Sequence, residues 1–148
     1  MNEHIKKQVE EFVEEYNLGN GFRVNAPETV IHKIAKDKGI NAVFLADFYH
    51  MYLYLGNVMG TKKVYDTKGK SRTFDNEYYG RIILPGKNPS SRFGWNVGDV
   101  LNEFGEYNLV SEGVPKWIED VKQELPGSCG LYCLAVAREL SKEVLQQG

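Results

Sequence analysis

Residues 126–140 read PGSCGLYCLAVAREL, and the reading of this stretch decides how the rest of the chain is placed. Pro126, Gly127 and Ser128 form a turn signal, after which residues 130–137 (GLYCLAVA) are apolar on every helical face. A helix that is hydrophobic all round is a buried one. The sequence therefore predicts a core helix that begins at Cys129 and becomes amphipathic over residues 138–147 (RELSKEVLQQ). A thiol at such a junction meets the unpaired N–H groups of the first helical turn, which favour its thiolate form. Gly127 and Gly130 leave the backbone beside the sulfur open, so that a carbonyl group can approach and N–H groups can bind an oxyanion. Cys133, one turn deeper, reads as core filling.

Working outward, residues 1–40 carry two helical patterns. Ile5, Val9, Phe12, Val13 and Tyr16 recur at helical spacing with Gly19 as the stop, and residues 27–39 (PETVIHKIAKDKG) turn Val30, Ile31 and Ile34 inward. Residues 40–56 (INAVFLADFYHMYLYLG) are aromatic and β-branched or large apolar, which predicts one or two strands ending at Gly56. KKVYD pairs back across the GNVMGT turn, a further strand covers Arg81 to Leu84, KNPSSRFGWN reads as a loop, and GDVLNEFGEY as a short helix. Residues 114–127 (VPKWIEDVKQELPG) fit two patterns, because Trp117, Ile118, Val121 and Leu125 make a helical face while the flanking turn signals permit a strand. No internal repeat or low-complexity tract interrupts these elements.

The length of 148 residues suits one domain, 1–148, helical over 1–40 and containing the sheet and the buried helix over 41–148. A net charge of −2 argues against a nucleic-acid partner held by a broad basic surface. Lys62, Lys63, Lys68, Lys70 and Arg72 do cluster, in the pattern of a solvated hairpin rim. The opening MNEHIKKQVEEF has no apolar signal region, and no run approaches the roughly 20 apolar residues of a membrane span. A cytoplasmic setting without membrane attachment is the expectation, with Cys129 and Cys133 as free thiols. Two thiols are too few for a structural zinc site.

A nucleophilic Cys129 needs a base, normally histidine, and a third group that orients the imidazole. No histidine follows Cys129, so the base lies upstream among His4, His32 and His50. His4 sits near the chain start and His32 on a Lys-flanked helix face, whereas His50 stands in the aromatic strand FYHMYLYLG, a rigid element able to present its ring to a helix end. Asp66, sixteen residues later in VYDTKG, returns beside His50 if the chain reverses near Asn57 to Thr61. Asp66 also fits as a plain turn residue before Gly69.

The chain order His, Asp, Cys resembles that of the cysteine peptidases that process ubiquitin-like proteins such as SUMO, and of the related adenovirus maturation protease. Four features carry the resemblance, which spans about Asn41 to Leu140: YHMYLYL at the start of a strand, VYDTKG at the end of the next, a glutamine six residues before the cysteine, and CGLYC opening the buried helix. Met51 follows His50 where that family usually has tryptophan. The resemblance implies an α+β, papain-like domain in histidine-first order, with a central mixed sheet and a buried helix starting at the nucleophile. It implies Cys129 as nucleophile, His50 as general base, Asp66 as the group orienting it and Gln123 as a side-chain oxyanion donor. It also implies cleavage of a peptide or isopeptide bond without metal or organic cofactor, in a protein or peptide substrate such as a viral precursor or a ubiquitin-like conjugate. The short chain fits a viral or phage-type maturation protease. Two other readings stay open: an acyltransferase using the same Cys-His-Asp site, and a non-enzymatic binding protein gripping a partner through Tyr78, Tyr79, Phe93 and Trp95.

Overall fold

In a computed structural model of the chain, the described residues are 1–20, 23–46, 50–58, 61–74, 79–87, 91–96, 109–110 and 113–147. Helix α1 (Asn2–Glu15) buries Ile5, Gln8, Val9 and Phe12. It ends before the expected Gly19, because Asn17 adopts the left-handed conformation (φ 55°). The Leu18 N–H then reaches the Val13 carbonyl (2.9 Å) and the Asn17 N–H the Glu14 carbonyl (3.3 Å). Asparagine tolerates this conformation and so does the work of a C-terminal glycine. A small hairpin of β1 (Gly19–Asn20) and β2 (Arg23–Val24) follows. Helix α2 (Glu28–Lys38) starts after Pro27, stops at Gly39 (φ 65°), and buries Ile31, Ile34 and Ala35.

The remaining strands form one sheet in the order β6-β5-β4-β3-β7-β8. They are β3 (Phe44–Ala46), β4 (Met51–Val58), β5 (Thr61–Asp66), β6 (Lys70–Phe74), β7 (Tyr79–Ile83) and β8 (Ser91–Asn96). Among the described residues every pairing is antiparallel, which corrects the expectation of a mixed sheet. The pairs β3–β4, β4–β5, β5–β6 and β7–β8 are sequence neighbours, and their connections are too short for the dozen or more residues of a parallel crossover. β4 runs past Gly56 to Val58, with an irregularity between Tyr54 and Gly56. β8 corrects the loop reading of SRFGWN; it pairs with β7 across a register shift at Gly80/Arg81. The Lys62–Arg72 cluster spans β5, its turn and β6, the hairpin expected for it. The helix expected over GDVLNEFGEY lies outside the described residues, as does Tyr78, while Tyr79, Phe93 and Trp95 fall in β7 and β8.

Helix α3 (Cys129–Gln147) packs against α1, α2 and β4. Residues 131–137 are all buried, as their unbroken apolar run requires. One core cluster joins Ile5, Val9 and Phe12 of α1, Ile31 and Ile34 of α2, Leu53 and Leu55 of β4, and Leu131 to Ala137 of α3. The architecture is α+β. Among the described residues no helix is long and apolar enough to cross a membrane.

Candidate active site

The junction before α3 is built by close backbone packing. Gly127 has φ 81°, and a side chain there would collide with the Val24 carbonyl oxygen. The Val24 N–H donates to the Pro126 carbonyl (2.9 Å), so β2 clamps the turn that precedes Cys129. A Cβ on Gly130 would lie 2.9 Å from Ile31 Cδ1 and 3.3 Å from Met51 Sδ. The Cβ side of these two glycines is thus filled by the protein's own chain, so the packing at this junction itself requires their lack of a side chain. The Ser128 carbonyl accepts the Tyr132 N–H (2.9 Å), the first bond of α3, and its hydroxyl donates to the Leu125 carbonyl (2.5 Å).

His50 immediately precedes β4, and Asp66 closes β5, with Tyr52 and Asp66 as direct cross-strand partners. The hairpin returns Asp66 to His50 as its spacing predicts: His50 Nε2 donates to Asp66 Oδ1 at 2.8 Å. Asp66 is buried at 1% exposure, so little water competes for this contact. The same Oδ1 accepts the Lys68 N–H (3.1 Å), and the Asp66 carbonyl accepts the Gly69 N–H (2.9 Å). Asp66 is therefore both a turn residue and the partner of His50. The Tyr52 ring stands edge-on to the imidazole, 4.8 Å between centroids at 79°.

The His50 ring also hydrogen-bonds the Cys129 thiol. The hydrogen bond to Cys129 is the largest influence on His50 and raises its pKa; burial opposes it, and Asp66 adds to the rise. Burial pushes the Cys129 thiol up, but the His50 hydrogen bond, backbone hydrogen bonds from Met51 and Gly130, and the His50 charge together bring it below the ordinary value. Both shifts favour the same pair, thiolate and imidazolium. Cys133 differs in kind. It is fully buried, its thiol is pushed well above the ordinary value by burial, and its S–H donates to the Met51 carbonyl (3.7 Å).

The segment before the turn resolves the two patterns of VPKWIEDVKQELPG by dividing them. Residues Lys116–Asp120 form a 3₁₀ helix, and Val121 is already extended (φ −89°, ψ 113°). The Gln123 N–H donates to the Thr67 carbonyl (2.6 Å), which draws this extended segment against the turn that carries Asp66. Gln123 Oε1 accepts the Thr67 hydroxyl (2.8 Å), and Nε2 donates to the Leu125 carbonyl (2.9 Å). Thr67 Oγ1 in turn lies 3.4 Å from His50 Nε2. All four residues expected from the sequence, Cys129, His50, Asp66 and Gln123, thus fall in one connected cluster. Tyr52 and Thr67 have no motif of their own and were not legible; adjacency to His50 and Asp66 was the only hint.

The other histidines serve elsewhere. His4 Nε2 lies 2.8 Å from Glu139 Oε1, between α1 and α3. His32 Nε2 lies 3.2 Å from Glu28 Oε1, while its Nδ1 accepts the Gly86 N–H (3.3 Å). Among the described residues no cluster of His, Cys, Asp and Glu is arranged to hold a metal ion. No protein-family model matches this chain, and neither a curated protein nor a solved structure is significantly similar to it.

Proposed function

We propose that the protein is a papain-like thiol peptidase that cleaves a peptide or isopeptide bond by Cys-His-Asp acyl transfer. The observation that carries this reading is the line Asp66–His50–Cys129: a buried carboxylate 2.8 Å from the imidazole, and a hydrogen bond from the same ring to a thiol at the first residue of a helix. A core cysteine needs neither a histidine nor a carboxylate behind it. The resemblance in chain order to the peptidases of ubiquitin-like proteins supports the same reading.

In this mechanism the Cys129 thiolate attacks the substrate carbonyl carbon, and the oxygen becomes an oxyanion beside the Cys129 N–H and the Gln123 amide. His50, protonated on both nitrogens, gives a proton to the leaving amine as the carbon–nitrogen bond breaks. The neutral imidazole then takes a proton from water, whose oxygen attacks the thioester and releases the acid and the Cys129 thiolate, restoring the ion pair with His50. Asp66 holds the ring and stabilises its charged form throughout. None of these steps calls for a metal or organic cofactor. The substrate class is a protein or peptide, such as a viral precursor or a ubiquitin-like conjugate, met in the cytoplasm.

The test is a peptide mixture incubated with wild type and Cys129→Ala and read by mass spectrometry, with and without an added amine. The reading expects cleavage products from wild type alone, ending in free carboxyl groups. Equal cleavage by Cys129→Ala would remove Cys129 from the chemistry, and amides in place of acids would make the protein an acyltransferase.

A further inference from the structure

Thr67 stands between the two halves of the candidate site. It follows Asp66 directly, its side chain is fully buried, and its hydroxyl has a single proton, which goes to Gln123 Oε1 (2.8 Å). An amide side chain can present either its oxygen or its NH₂ to a given point, and the two ends are nearly the same shape. The Leu125 carbonyl, which can only accept, takes an N–H, and this turns the amide oxygen to the Thr67 hydroxyl, which donates to it and has its lone pairs toward His50 Nε2 at 3.4 Å. One N–H of the NH₂ group meets the Leu125 carbonyl (2.9 Å), which leaves the second as the candidate donor to an oxyanion. The backbone repeats the link, since the Gln123 N–H donates to the Thr67 carbonyl (2.6 Å).

We infer that Thr67 is a positioning residue, whose hydroxyl, together with the Leu125 carbonyl, anchors the Gln123 amide so that an N–H faces the oxyanion. The inference rests on the peptidase reading, because only acyl transfer at Cys129 builds that oxyanion. Without the hydroxyl the amide keeps only its bond to the Leu125 carbonyl and loses the second anchor that aims its other N–H at the oxyanion. The distinction has a chemical readout. Acylation of a thiol by an ester passes through a tetrahedral oxyanion, whereas alkylation by iodoacetamide displaces iodide at a saturated carbon and forms none.

The experiment measures both reactions at Cys129, with p-nitrophenyl acetate and with iodoacetamide, in wild type, Thr67→Val, Thr67→Ser, Gln123→Ala and the Thr67→Val/Gln123→Ala double variant. Valine keeps the shape and removes the hydroxyl. Thr67→Val should slow acylation on the order of tenfold to a hundredfold while leaving alkylation unchanged. Unchanged alkylation also shows that the variant is folded with His50 and Cys129 paired. Thr67→Ser should restore most of the acylation rate, and Thr67→Val should cost nothing further once Gln123 is alanine. Wild-type acylation in Thr67→Val, an equal loss in the Gln123→Ala background, or a parallel loss of alkylation would overturn the inference while leaving the peptidase reading standing. An ordinary thiol profile in the wild-type protein would instead remove that reading, and this inference with it.

Discussion

The imidazole of His50 is held by Asp66 Oδ1 at 2.8 Å and flanked by the edge-on ring of Tyr52, 4.8 Å between centroids. This arrangement fixes both the position and the charge of the ring. The active pair exists above the Cys129 pKa, which is lowered, and below the His50 pKa, which is raised. The rate of acyl transfer should therefore rise as the thiol ionises, level off, and fall as the imidazolium loses its proton. Removing the Asp66 charge lowers the His50 pKa, so in Asp66→Ala the alkaline fall should move to lower pH, as a pH–rate profile would show. Asp66→Asn should retain more activity than Asp66→Ala, since an amide oxygen still accepts the Nε2 proton. Cys133 should resist alkylation in the folded protein, because burial leaves its thiol protonated and out of reach. At this scale His50, Asp66 and Cys129 were legible because the chemistry demands those residue types in that hairpin-and-helix arrangement. Thr67 was not, since a hydroxyl acting through a second side chain leaves no spacing to read.

At the scale of elements, the start of α3 depends on two glycines that admit β2, α2 and Met51 to the backbone. Gly127→Ala imposes a Cβ on a left-handed residue and drives it into the Val24 carbonyl, so it should destabilise the protein by more than about 1 kcal/mol in denaturant unfolding. Gly130→Ala meets flexible ends, Ile31 Cδ1 and Met51 Sδ, and should cost about 1–3 kcal/mol while displacing Met51 from the site. The three helices were legible because their apolar residues recur at helical spacing or, in α3, without interruption. β8 was not: SRFGWN has no clean alternation, and it becomes a strand by pairing with β7. The extended path around Gln123 was half legible, since the spacing from Trp117 to Leu125 describes the 3₁₀ turn and misses the hydrogen bond to Thr67 that straightens the rest.

At the scale of the whole molecule, a shared core carries residues from α1 to α3 and keeps the site elements in register. Phe12 lies far from the site in sequence, is buried at 1% exposure, and has the Arg138 guanidinium 5.0 Å from its ring centre. Phe12→Ala should reduce stability by about 3–5 kcal/mol, yet leave the reactivity of Cys129 in the folded fraction unchanged. The α+β character was legible from the change of pattern after residue 40. The all-antiparallel pairing was not, because strand direction is set by connection length and neighbour choice rather than by the residues of any one strand.

If Cys129 and His50 share a thiolate–imidazolium pair, the rate of Cys129 alkylation by iodoacetamide from about pH 4 to 9 reports it. The rate would be compared between wild type and His50→Ala, with each cysteine read by mass spectrometry. The account predicts that wild-type Cys129 reacts well below the ordinary thiol range of about 8.5, that His50→Ala loses this advantage, and that Cys133 stays unmodified in both. Slow reaction with an ordinary thiol profile, identical in the two proteins, would contradict it and leave Cys129 as a core residue at the start of a helix.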